Sequence, residues 1–169
     1  MPLAALFRWF WILVLAVIVI NGVIYRKRLR RLEEEGGITP AESSRLLRIL
    51  GIGLVGMCLG LWAIQLAAGW ESPLCVHDRP LGDPFVLASL ALTAVGWAAL
   101  LAWIFSFGGA ELVSRASPAL GRHAPGSAWS IRAVRIGAVL IVVAGLAGFL
   151  MGRQGTAMGC DLPPAASPR

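Results

Sequence analysis

A chain of 169 residues is long enough for one soluble domain or one small membrane bundle, and 57% apolar against 14% charged residues selects the bundle. A soluble domain carries about 25% charged residues, and water does not wet a monomer this apolar without large exposed patches. The net charge of +6 sits beside apolar runs, so it reads as membrane topology and contact with anionic headgroups, and nucleic acid is not expected as a partner.

The first apolar stretch is Leu3–Tyr25, with Arg8 near one end and Asn21 near the other. A helix rises about 1.5 Å per residue, so roughly 20 apolar residues cross the hydrocarbon. The run is too long for a signal peptide and its basic cluster follows it, which predicts an uncleaved anchor. That cluster is Arg26, Lys27, Arg28, Arg30 and Arg31. It opens a segment, residues 26–48, that reads as a helical hairpin extending the first two spans. Leu29 and Leu32 share a face, and Gly36 or Gly37 supplies the left-handed residue that ends a helix. Thr39-Pro40-Ala41-Glu42 then reads as a helix start: Thr39 caps, Pro40 takes the first helical position and Glu42 reaches back. Leu46, Leu47 and Leu50 would face Leu29 and Leu32 across the hairpin.

The second stretch, Ile49–Trp70, has Gln65 as its one strongly polar side chain. Gly51, Gly53 and Gly56 spell a dinucleotide fingerprint, but that motif needs a preceding strand, and this run lies in an apolar helix. Close helix contact is the better reading, with Gly56 and Gly60 spaced for it. The loop that follows carries Cys75, His77 and Asp78. The third stretch, Phe85–Phe107, places Ala94 and Ala98 four residues apart. The gap from Gly108 to Arg135 is rich in Gly, Ser, Ala and Pro and reads as flexible until Ser127, a possible cap. The fourth stretch, Ile131–Gly152, repeats the small-residue spacing at Gly148 and Gly152, and residues 153–169 form a tail with Cys160. Depth along the spans places Arg8, Gln65 and Ser89 at one level, where they could share a hydrogen-bonded cluster; Arg8 is shallow enough to snorkel, so lipid headgroup contact is the favoured reading for it.

No stretch alternates as a barrel strand does, so the fold expected is all-α: an integral membrane four-helix bundle with spans at about 3–25, 49–70, 85–107 and 131–152. Eleven Lys and Arg residues occupy the first and third gaps, against four elsewhere. The positive-inside rule then puts both termini outside and the hairpin in the cytoplasm. Fourteen of the 15 basic residues are Arg, and Ala, Gly and Pro abound. That composition suggests a GC-rich genome and a bacterial inner membrane. Cys58 lies within a span, where thiols serve packing, while Cys75 and Cys160 share the outer, oxidising face and are expected to form a disulfide.

The function expected is non-catalytic: an accessory, assembly or scaffold subunit whose partners are the lipid bilayer and other membrane subunits or copies of itself. No catalytic residue, metal ligand or cofactor is assigned. Cys75, His77, Asp78, Cys160 and Asp161 offer zinc-compatible atoms at a spacing that matches no common motif, and the chain has no C-x-x-C pair for thiol redox chemistry. No acidic residue lies deep in a span, and no Pro interrupts one, which argues against proton-coupled transport. A channel or transporter component acting as an oligomer, or a membrane enzyme with a redox or lipid substrate, are the alternatives.

Overall fold

The computed structural model describes residues 10–120 and 129–154. Six helices occupy them: α1 (Phe10–Glu34), α2 (Pro40–Ala67), α3 (Cys75–Asp78), α4 (Pro84–Ser106), α5 (Gly109–Leu120) and α6 (Ile131–Gln154). No strand occurs among the described residues. Four of the helices (α1, α2, α4 and α6) are long and apolar enough to cross a membrane.

Local chemistry sets the helix ends. At the end of α1, Gly36 takes a positive φ of 74°. The Gly37 N–H donates to the Leu32 carbonyl and the Gly36 N–H to that of Glu33. This paired closure satisfies carbonyls that would otherwise be orphaned. Three residues on, the capping box at Thr39 is formed. The Glu42 N–H donates to Thr39 Oγ1 at 3.3 Å, and the Thr39 N–H donates to Glu42 Oε2 at 3.0 Å. Pro40 occupies the first turn, where a missing N–H costs nothing. Helix α2 then runs unbroken through the apolar stretch. Its far end repeats the same closure: Gly69 has φ 66°, and the Trp70 and Gly69 N–H groups reach the Gln65 and Leu66 carbonyls.

The spans stand in chain order. Helix α1 packs on α2, α2 on α4 and α4 on α6. Among the described residues, α1 and α6 do not pack along their lengths; α5 touches all four spans. The larger core lies at the Arg-rich end and gathers Leu29, Ile38, Leu46, Trp103, Ile104, Leu112 and Ala116, among others. A smaller one, at the opposite end near α3, holds Trp70, Cys75 and Val86. Between these ends the helices show apolar surface outward. The apolar window of α1 contains no buried residue, and Val17, Ile20, Leu140 and Ile141 are more than half exposed. Lipid tails are as apolar as these side chains, so exposure there carries no hydrophobic penalty.

Helix α5 corrects the reading of residues 108–126 as flexible through their first half. Gly108, at φ 71°, turns the chain out of α4. Leu112, Ala116 and Ala119 then recur at helical spacing and are buried. Pro118 sits inside α5 and has no N–H to offer the preceding turn. The Ser117 hydroxyl donates to the Ser114 carbonyl instead, at 2.7 Å, and accepts from the Trp129 N–H at 2.8 Å. The proline is thereby tolerated, and the residue that leads into α6, Trp129, is tied to α5. The expected cap at Ser127 lies outside the described residues. At the start of α6, Ser130 Oγ accepts the Ala133 N–H.

Candidate functional site

A cavity of about 450 Å³ lies at the end of the bundle near α3, lined by side chains from all four spans and from the segment joining α2 to α4. Its apolar wall includes Trp11, Leu61, Trp70, Leu90, Trp97, Leu146 and Phe149. Its polar wall is Gln65, His77, Ser89 and Thr93, and His77 is the one titratable group among the lining residues. Gln65 is buried, with both ends of its carboxamide engaged. Trp11 Nε1 donates to Gln65 Oε1 at 2.5 Å, and Gln65 Nε2 donates to the Trp70 carbonyl at 3.2 Å. The reversal at Gly69 carries that carbonyl back over the end of α2, which makes the second bond possible.

Ser89 does not join this cluster. Its hydroxyl donates to the Phe85 carbonyl one turn back, at 2.9 Å, and Thr93 does the same to Ser89, at 2.8 Å. A helical hydroxyl in an apolar setting satisfies itself on its own backbone when no better acceptor is aligned. Arg8, the third residue at that level, lies outside the described residues. The His77 ring packs against Phe149 with centroids 5.1 Å apart, and its Nδ1 is buried without a hydrogen bond to any described residue. Arg153 stacks over the Phe149 ring and donates to the Arg79 carbonyl, which ties the end of α6 to the α3 segment. A cavity of this shape and lining is suited to an apolar or amphiphilic guest.

The small residues expected at helix contacts divide into two groups. A Cβ on Gly60 would come within 2.7 Å of Leu92, and one on Gly152 within 2.9 Å of His77. Gly56 and Gly148 face open space, while Ala94 lines the cavity and Ala98 is exposed. Within the four spans, two glycines not singled out by spacing make close approaches: Gly96 against Met57, and Gly145 against the Trp97 indole. The signal that locates them is a large side chain on the facing helix, which a one-helix spacing rule does not contain. Cys75 is buried beside Trp70 and Val86, and Cys160 lies outside the described residues. Cys58 is a buried free thiol in α2. No group of three or more potential metal ligands occurs among the described residues.

At the Arg-rich end, several cations are structural. Arg28 donates to the Ala119 carbonyl at the end of α5, and Arg45 donates to the Phe107 carbonyl at the end of α4. Both positions favour positive charge, because helix C-termini carry partial negative charge. Arg115 of α5 pairs with Glu42 of α2 at 2.5 Å, and Arg135 of α6 lies 3.7 Å from Glu111 and over the Phe105 ring. Glu42 stands ahead of the apolar stretch. Its carboxyl is held below the usual carboxylate range, chiefly by the Thr39 backbone N–H; burial opposes this next in size, and the Thr39 hydroxyl and Arg115 add smaller lowering effects. Within the basic cluster Arg28 is partly buried, whereas Arg26, Lys27, Arg30 and Arg31 are exposed. Arg26, Arg30 and Arg48 line a second groove, of about 500 Å³, between α1 and α2.

No family model, curated protein or solved structure matches this chain.

Proposed function

We propose that this chain is a non-catalytic multi-pass protein of a bacterial cytoplasmic membrane, serving as an accessory, assembly or scaffold subunit of a larger membrane complex. One observation carries the reading: the Arg-rich end is a folded platform and not a set of connecting loops. Leu29 and Leu46 are completely buried there, α5 docks against all four spans, and charged pairs join it to α2 and α6. Burying one such leucine stabilises by about 1.5–3 kcal/mol. Joining four spans needs only short turns, so an ordered charged platform suits contact with other subunits. The positive-inside bias places it in the cytoplasm with both termini outside. Reporter fusions at either terminus and at residue 37 test that orientation.

Purification in mild detergent followed by mass spectrometry tests the function. A stoichiometric membrane partner, or a defined self-assembly, is the expected result. A solitary monomer across several detergents would refute it. On the outer face the reading includes a Cys75–Cys160 disulfide that pins the tail over the loop carrying α3. Thiol labelling of unreduced, denatured protein should then modify Cys58 alone.

The cavity favours a second reading, in which the bundle holds an amphiphile as a transporter component or as an enzyme with a lipid substrate. Its apolar wall and its fixed carboxamide suit a molecule with a long tail and a small polar head. Lipid extraction from the purified protein distinguishes the two: a single enriched, non-bulk amphiphile displaced by Trp97→Ala supports the second.

A further inference from the structure

We infer that the groove between α1 and α2 binds the phosphodiester of an anionic phospholipid from the adjoining leaflet. The depth of the groove is the first reason. Arg26 directly follows the last residue of the first apolar stretch, Tyr25, and Arg48 directly precedes the first residue of the second, Ile49. Both guanidinium-bearing residues therefore stand at the edge of the hydrocarbon, where headgroup phosphates lie.

The second reason is the state of the cations. Arg28, Arg45, Arg115, Arg135 and Arg153 each hold a carbonyl or a carboxylate within the protein. Arg26, Arg30 and Arg48 make no hydrogen bond or ion pair with any described residue, yet all three line one groove. Arg26 and Arg30 are one helical turn apart on α1, and Arg48 meets them from α2. Guanidinium forks match phosphate oxygens in geometry and are less strongly hydrated than ammonium. The Ser43 and Ser44 residues of α2 line the same groove and supply hydroxyl donors.

The third reason is charge and room. Glu33 is the one acidic residue in the lining. Three arginines against one carboxylate leave an excess of two positive charges, enough to neutralise a monoanionic phosphodiester. Gly22 lies at the membrane side of the groove, and a Cβ there would meet nothing within 4 Å. That space admits the glycerol end of a lipid.

The test uses the full chain in nanodiscs of phosphatidylcholine doped with phosphatidylglycerol, with bound lipid counted by native mass spectrometry after release. The groove variant Arg26→Gln/Arg30→Gln/Arg48→Gln is compared with Lys27→Gln/Arg31→Gln/Arg132→Gln, which removes the same charge from exposed positions outside the groove. The groove variant loses three guanidinium groups placed for direct, charge-assisted hydrogen bonds to one phosphate, so its affinity for the anionic lipid should fall on the order of 100-fold. The matched variant should keep most of it, and Glu33→Gln should bind more tightly. Equal losses in the two triple variants would reduce the effect to unspecific charge and overturn the site. So would undiminished retention by the groove variant with helix content unchanged. Gly22→Leu, which fills the membrane side without altering charge, should weaken retention, and its failure to do so also counts against the site.

Discussion

Replacing Leu46 by Ala separates the two environments this chain occupies. Leu46 is 0% exposed and Leu140 is 60% exposed, yet both belong to long apolar helices. Leu46 packs at the Arg-rich end, where its alternative on unfolding is water. Truncation removes about three methylene equivalents, roughly 2.4 kcal/mol at about 0.8 each, and the cavity left behind raises this toward 3–5 kcal/mol. Leu140 is exposed on a helix long and apolar enough to cross a membrane; in a bilayer its truncation exchanges one apolar neighbour for another at a cost near zero. The assay is amide hydrogen exchange on the protein in nanodiscs, followed over α5 and the residues flanking Leu46. A loss of 2.5 kcal/mol in local opening reduces protection by roughly 60-fold. Leu46→Ala should show at least that at the Arg-rich end and leave the centre of α4 unchanged, while Leu140→Ala should match the parent. Equal effects from the two substitutions, or full protection in Leu46→Ala, would refute the assignment of that end as a water-excluding core.

Gly145→Leu should destabilise the α4–α6 contact by about 1–3 kcal/mol through overpacking against Trp97, whereas Gly148→Leu should be tolerated; thermal unfolding in detergent, followed by tryptophan fluorescence, compares them. Gln65→Leu strands the Trp11 indole N–H and the Trp70 carbonyl, at a cost of about 0.6–2 kcal/mol, and should change tryptophan emission without loss of helix. Glu42 has a lowered pKa in the folded chain, so its contribution is present above the ordinary carboxylate range and is lost as pH falls through its depressed value. Proteolysis of α5 should accordingly increase toward acid pH in the parent, and Glu42→Gln should cleave readily at neutral pH with a flatter profile.

The features legible in the sequence are those that one segment decides alone. Four apolar runs of sufficient length, the Thr39–Glu42 cap and the glycine closing α1 each depend on residues within a few positions. Helix α5 was hidden because Gly, Ser, Ala and Pro dominate its composition. Its helicity rests on burial of Leu112, Ala116 and Ala119 under the spans, which is a tertiary fact. Glycine spacing likewise marked Gly60 and Gly152, but the deciding partners, Leu92 and His77, sit on other elements, and Gly145 needed Trp97 to be noticed. Gln65 stood out as polar, but its partners are indole and backbone groups that a search for charged or hydroxylated neighbours passes over. The cavity and the arginine groove are products of assembly. The sequence shows the cavity's residues scattered over several elements and the groove's divided between two helices.

The order in which the spans pack has a consequence for biogenesis. Each span lies against the one made just before it, so a helix leaving the translocon meets a partner already in the bilayer. Loop closure for these contacts spans neighbouring elements only, and its entropic cost grows slowly with the length of the connection. Helix α5 emerges after three spans are in place and can settle on them at once, before the fourth arrives to be received by both α4 and α5. Insertion and assembly can thus proceed as one vectorial process, with no early span left waiting for the last.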